Sequence, residues 1–189
     1  MSAVMKEEIK DETGYRELLM GCGNKRDKII WRPGADAQWH DLICMDMDEA
    51  CRKEADESFY VWDLMHLPYP FTQNYFNEIH AYEVLEHMGA QGDYQTFFDQ
   101  FTEFHRILKP KGLFCGTVPA WDSIWAWGDP GHTRVINAGT LTFLSQEQYK
   151  NQVGRTPMND YRSVYKADFS LLHLEEKGER ILFVLEAIK

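Results

Sequence analysis

The sequence predicts an α/β protein: a doubly wound, mostly parallel sheet that ends in an antiparallel hairpin. Three observations carry this. Five short apolar runs each end in a glycine, a carboxylate or a proline, as parallel strands do when they deliver functional groups at their C-terminal ends. One segment, 93–108, has helical periodicity. Beyond residue 168 the period changes to that of two strands joined by a very short linker.

In chain order, Tyr15 to Met20 is the first strand, and it runs into the tight turn Gly21-Cys22-Gly23-Asn24. Leu42 to Met45 leads into Asp46, Ser58 to Trp62 into Asp63, Glu78 to Tyr82 into Glu83, and Leu113 to Val118 into Pro119. The stretch from Asp27 to Trp39, with Pro33-Gly34, is poor for a long helix. A helix is expected over 83–88. A longer one over 93–108 carries Tyr94, Phe97, Phe98, Phe101, Phe104 and Leu108 on one stripe, with Asp93 as N-cap and Lys109-Pro110-Lys111-Gly112 as stop. The phenylalanines read as core. A third helix is expected over 145–153, capped by Ser145. The runs from Asp168 and from Arg180 are separated only by Lys177-Gly178-Glu179, too short for a crossover, so they must pair antiparallel.

At 189 residues and 22.2 kDa, with 44% hydrophobic and 26% charged residues, the chain reads as one globular domain over 1–189, with 1–14 as an N-terminal segment and 119–144 as a Trp-rich loop. No apolar run reaches the ~18–20 residues of a membrane span, and no secretory leader is visible. Four cysteines without CxxC pairing fit reduced thiols, hence a cytoplasmic location. The net charge is −10, and the first 130 residues hold 12 Lys+Arg against 23 Asp+Glu. Duplex nucleic acid is therefore not an expected partner. No His or Cys spacing signals a metal, and the expectation is none. No pattern specifies an oligomeric state.

The chemistry converges on three strand ends. Gly21-Cys22-Gly23 lets backbone approach a ligand closely, and Asp46, 23 residues beyond Gly23, is placed to accept both hydroxyls of a ribose. Asp63 is placed to accept from an adenine amino group. A dinucleotide site would want GxGxxG, but the third position is Arg26; a phosphate loop would want GxxxxGK[ST], which is absent. The pattern describes an adenosine site without a diphosphate, and an acidic cavity suits a sulfonium.

These residues resemble the class I S-adenosylmethionine-dependent methyltransferases, in the manner of the type 11 methyltransferase domain and its short-linker branch with a GCGN opening. Leu18 to Gly23 resembles that family's first motif and Ile43 to Asp46 its second. Trp62 to Pro68 resembles the adenine-contacting stretch, Tyr82 to His87 the exit of the fourth strand, and Phe104 to Gly112 the turn into the fifth. The resemblance implies a Rossmann-like sheet of order 3-2-1-4-5-7-6 and S-adenosylmethionine as cofactor, with S-adenosylhomocysteine as product. It further implies a cofactor site of Gly21, Cys22, Gly23, Asn24, Asp46, Met47, Asp63, Leu64 and Glu83, and methyl transfer (EC 2.1.1.-) to a small-molecule acceptor. The family's acid two residues before the first glycine is here Leu19, and its third glycine is Lys25. These departures motivate an alternative, a methyltransferase-like binding module without activity of its own.

Between the fifth strand and the next helix, Trp121, Trp125 and Trp127 read either as a lid over the acceptor, with Trp121 and Trp125 touching it, or as the packing of a long loop; the loop's exit from a strand's C-terminal end favours the lid. His132 is then a candidate general base and Arg134 a clamp for a carboxylate or phosphate. The rival reading is a turn, Asp129-Pro130-Gly131-His132, whose histidine satisfies backbone groups. His87 and His105 read as structural.

Overall fold

The computed structural model describes residues 14–30, 37–56 and 58–189. The expected N-terminal segment, apart from residue 14, and the Pro33-Gly34 turn lie outside the described residues. The strands are β1 (Arg16–Met20), β2 (Asp41–Asp46), β3 (Ser58–Val61), β4 (Phe76–Tyr82), β5 (Leu108–Pro119), β6 (Phe169–Lys177) and β7 (Arg180–Ala187). They form one sheet in the order β3-β2-β1-β4-β5-β7-β6. β1 to β5 pair parallel, whereas β7 pairs antiparallel with both β5 and β6, as the short linker requires; of the expected Lys177-Gly178-Glu179, Lys177 pairs with Arg180 and only Gly178-Glu179 lie between the strands. Because the chain runs from β1 to β2 on one side and β4 lies on the other, the C-terminal tips of β1 and β4 diverge. That divergence opens the crevice in which such sheets bind ligands.

The main core lies on one face. α1 (Tyr94–Ile107) lays Phe97, Phe98, Phe101 and Phe104 onto Leu18, Met20, Ile79 and Phe114 of the sheet. Asp93 caps it by accepting from the Thr96 amide at 3.1 Å. α3 (Ala138–Thr142) and α4 (Gln146–Gln152) add Leu141 and Tyr149 to the same cluster. Two expectations change in detail. The helix over 83–88 is a single 3-10 turn, Leu85–His87, because Glu83 takes a left-handed φ of 56° that no helix continues through. The Lys-Pro-Lys-Gly stop does not separate α1 from a strand beginning at 113. Leu108 already pairs with Phe76, and the next pair is Leu113 with Glu78, so residues 109–112 bulge opposite Asn77 alone.

On the opposite face the described part of the β1–β2 linker contains no helix, and a buried charge network holds it to the sheet. Lys28 Nζ donates to Glu17 Oε1 at 2.5 Å and lies 3.5 Å from Glu78 Oε2. The Tyr82 hydroxyl accepts from the Ile29 and Ile30 amides, both at 3.2 Å, and donates its proton to His80 Nδ1 at 2.7 Å. His80 Nε2–H is thereby directed to Glu78 Oε2 at 3.0 Å. Every charge in this dry site has a partner, which burial demands. Among the described residues no helix is long and apolar enough to cross a membrane.

Candidate active site

The turn after β1 is shaped by two left-handed glycines. Gly21 (φ +55°) is packed so tightly that a Cβ would stand 2.6 Å from Val84 Cγ2. Gly23 (φ +47°) has open space where its Cβ would be. Only glycine suits either position, the first for packing and the second for access. The Gly23 amide donates to Asp46 Oδ2 at 2.8 Å, and the Asp48 amide donates to Asp46 Oδ1 at 3.0 Å. The carboxylate at the tip of β2 is thus fixed beside the glycine turn, and each oxygen retains a lone pair for a hydroxyl. Trp62 donates its amide to the Asp46 carbonyl at 2.8 Å, which sets Asp63 on the neighbouring tip; its Oδ1 accepts from Met65 at 2.9 Å. A cavity of about 290 Å³ lies against the turn, lined by Gly21, Cys22, Gly23, Asn24, Ile29 and Tyr82 among others. Asp46 and Asp63 do not line it, so a nucleoside held by their carboxylates would lie across the open tips beside this cavity.

The remaining expected cofactor residues fall around the same crevice. Met47 follows Asp46 and is 72% exposed, Cys22 is buried, and Leu64 is half-buried beyond β3. Glu83 closes β4 with a strained backbone. Its Oε1 is buried without a hydrogen bond, 3.6 Å from Arg180 Nε of β7. Acidic oxygens with spare lone pairs around a glycine turn are the donor-poor, acceptor-rich set that an adenosine with a cationic sulfur requires, so the residues fit that group.

Past β4 and β5, the loop 119–134 folds over the β4 exit. Thr133 and Arg134 donate their amides to the Glu86 carbonyl at 2.9 and 3.1 Å. The expected loop contains a short helix, α2 (Ile124–Gly128), capped by Ser123. Trp121, Trp125 and Trp127 are 52%, 54% and 71% exposed, and Ile124 is 70% exposed beside them. Trp127 Nε1 donates to the Trp121 carbonyl at 2.9 Å and Trp125 Nε1 to Glu179 Oε2 at 3.1 Å, so the aromatic group is ordered but uncovered.

His132 lies beside the loop, with 9% of its side chain exposed and its Nδ1 directed to the Trp125 carbonyl at 2.8 Å. A carbonyl only accepts, so Nδ1 carries the proton and Nε2 of the neutral ring holds a lone pair. His87 is arranged alike, Nδ1 to the Gly131 carbonyl at 2.9 Å, and its ring meets that of His132 at 4.7 Å. Arg134 differs from the expected clamp. It is buried, with its guanidinium donating to the Met88 carbonyl at 3.2 Å and the Asp93 carbonyl at 2.6 Å, over the ring of Phe97. Its donors hold the loop to α1 and do not face the crevice. His105 Nε2 donates to the Ile188 carbonyl, just past β7, at 2.8 Å, and its ring meets that of Phe169.

Glu86 went unassigned in the sequence. It is 2% exposed, and neither carboxyl oxygen has a hydrogen-bond partner among the described residues. Burial, reinforced by the nearby charge of Glu83, pushes its carboxyl up to about 8. One oxygen of Glu86 and one nitrogen each of His87 and His132 lie within 4.8 Å of one another. The signal was present as Glu86-His87 at a strand exit, but His132 comes from another loop 45 residues later, beyond any local spacing rule.

The sequence model of the family described as "Methyltransferase domain" matches residues 18–116, more than half of the chain, which therefore belongs to that family. It is a class I, S-adenosylmethionine-dependent methyltransferase by fold and family. A search of curated proteins gave no match. Among solved structures the chain is similar to a SAM-dependent methyltransferase from Archaeoglobus fulgidus (12% identity, TM-score 0.56, 91% of this chain and 86% of that one). It is also similar to an S-adenosylmethionine-dependent methyltransferase from Mesorhizobium loti (15%, 0.51, 92% and 91%). A third is the N-methyltransferase NodS from Bradyrhizobium japonicum WM9, solved with S-adenosyl-L-homocysteine (13%, 0.54, 93% and 79%). At these identities the likeness is one of fold.

Proposed function

We propose that this chain transfers a methyl group from S-adenosylmethionine to a small-molecule acceptor, within the broad class EC 2.1.1.-. The observation that carries the reading is the hydrogen bond from the Gly23 amide to Asp46, which joins the glycine turn and the ribose-binding carboxylate into one unit. The cofactor supplies a methyl group on a cationic sulfur, open to in-line attack. Asp46 takes the ribose hydroxyls and Asp63 the adenine amino group. Gly21, Cys22, Gly23 and Asn24 form the floor, Met47 and Leu64 flank the nucleoside, and Glu83 adds negative charge at the end nearest the acceptor. Alignment of the two reactants supplies most of the rate, an effect worth roughly 7–11 kcal/mol in well-oriented systems. The exposed Trp121 and Trp125 offer an apolar platform for the acceptor, and His132 Nε2 holds a lone pair able to take a proton from it. Four free cysteines fit work in the reducing cytoplasm, and the charge of −10 disfavours duplex nucleic acid as acceptor.

The test is a labelled-methyl assay against an extract separated by size. Label should enter the low-molecular-weight fraction with wild type and fall to background with Asp46→Ala. Label confined to macromolecules, or none at all despite bound cofactor, would overturn the proposal.

A further inference from the structure

We infer that Glu86, His87 and His132 form a binding site for a first-row divalent cation of the zinc class. The three donor atoms lie within 4.8 Å of one another, brought together from the β4 exit and the β5 loop. Both histidines spend their Nδ1 protons on backbone carbonyls, at 2.9 Å to Gly131 and 2.8 Å to Trp125, which leaves each Nε2 unprotonated and oriented. This is the outer-shell arrangement that fixes a metal-binding imidazole. Independently, among the described residues neither oxygen of Glu86, which is 2% exposed, has a hydrogen-bond partner, so a carboxyl group there either keeps its proton or is charged beside a cation.

A second set of acidic and imidazole groups shows the contrast. Glu17, Glu78 and His80 are equally close, but Lys28 Nζ already stands among them at 2.5 and 3.5 Å, so that set holds its own cation. Among the described residues no lysine or arginine bonds the Glu86 carboxylate, although the charge of Arg180 reaches it, and Asp129 Oδ2, 3.9 Å from His132 Nε2, adds further negative charge. Donors about 2.1 Å from a common ion are roughly 3.0–3.4 Å apart, so separations of up to 4.8 Å need to close by up to about 1.4–1.8 Å. His87 is exposed, so its move is unobstructed on the solvent side, whereas the His132 side chain is 9% exposed. Two imidazoles with one carboxylate favour zinc, cobalt, manganese or iron over magnesium, and they leave coordination positions open to water or an acceptor oxygen. That an acceptor hydroxyl binds there, its proton made easier to lose by the cation in place of a free His132 Nε2, rests on the methyl-transfer reading; cation binding does not.

The experiment uses untagged, chelator-stripped full-length protein without S-adenosylmethionine, titrated with Co²⁺ or Zn²⁺ by calorimetry and by the visible absorption of Co²⁺. Wild type should bind one equivalent with micromolar affinity, whereas Glu86→Gln, His87→Ala and His132→Ala should each weaken binding by about 100-fold. Thermal unfolding without metal establishes that each variant is folded, and His87→Ala, at an exposed position, serves if the others are not. No binding by wild type at millimolar metal, or affinity in folded variants within about threefold of wild type, would overturn the inference. Either result leaves the cofactor site untouched.

Discussion

The two glycines of the turn after β1 should respond differently to the same substitution. Gly21→Ala forces a side chain into the left-handed region, at about 1–2 kcal/mol, and drives its Cβ to 2.6 Å from Val84 Cγ2. Overpacking of that kind adds about 1–3 kcal/mol, so the total loss is roughly 2–5 kcal/mol. Gly23→Ala carries only the backbone term, about 1–2 kcal/mol, because nothing lies within 4 Å of its Cβ. In a domain of this size each kcal/mol lowers Tm by roughly 2–4 °C. Scanning calorimetry and urea unfolding should therefore place Gly21→Ala well below Gly23→Ala, both below wild type. Calorimetric titration of the folded Gly23→Ala variant should show weakened S-adenosylhomocysteine binding, since its new methyl group occupies the open space above the turn. Equal destabilisation by the two substitutions would refute the division of roles, as would a Gly21→Ala loss under about 1 kcal/mol.

Lys28→Met removes the cation shared by Glu17 and Glu78 and should cost about 3–5 kcal/mol by urea unfolding, the loss expected when one member of a buried ion pair is deleted. The same network gives an acid dependence. Burial alone would raise Glu78, but hydrogen bonds from His80 and Tyr15 outweigh it and hold the carboxyl well below the usual range. A depressed carboxylate stabilises the fold above its unfolded pKa of about 4.3, and this contribution is lost as pH falls through the lower folded value. Glu78→Gln should flatten the fall in stability measured by unfolding below about pH 4. Arg134→Ala should lower stability by about 2–4 kcal/mol through two lost carbonyl bonds and its contact with Phe97, with KM for an acceptor nearly unchanged. A large KM change in steady-state assays with stability intact would restore the clamp. Asp63→Ala should weaken S-adenosylmethionine binding about tenfold in calorimetry while leaving unfolding unchanged, as its Met65 contact is local and exposed.

The first five strands were legible because each ends in a glycine, a carboxylate or a proline; the strand order came with the family resemblance. The helical stripe of Phe97 to Phe104 and the short hairpin linker are local signals; the stripe survives, and the linker shortens to Gly178-Glu179 because Lys177 already pairs with Arg180. What escaped the sequence was set by distant contacts. Nothing near Glu83 announces its left-handed backbone, and nothing in Lys109 to Gly112 says that pairing resumes on both sides of the bulge. Arg134 looked free because its partners, the carbonyls of Met88 and Asp93, are more than forty residues away and have no side-chain signature. Glu86 was hidden similarly: an acid within an apolar stretch reads as solvent-facing until the fold closes over it.

The account is tested most directly by titrating S-adenosylmethionine into wild type and into Asp46→Ala under identical conditions. Wild type should bind with micromolar affinity, and the variant, which loses one backbone bond from Gly23 of the turn and one from Asp48 together with the ribose acceptor, should bind about 30-fold or more weakly while remaining folded. A wild-type chain that leaves the ligand free at millimolar concentration, or a variant that binds as tightly as wild type, would contradict the site.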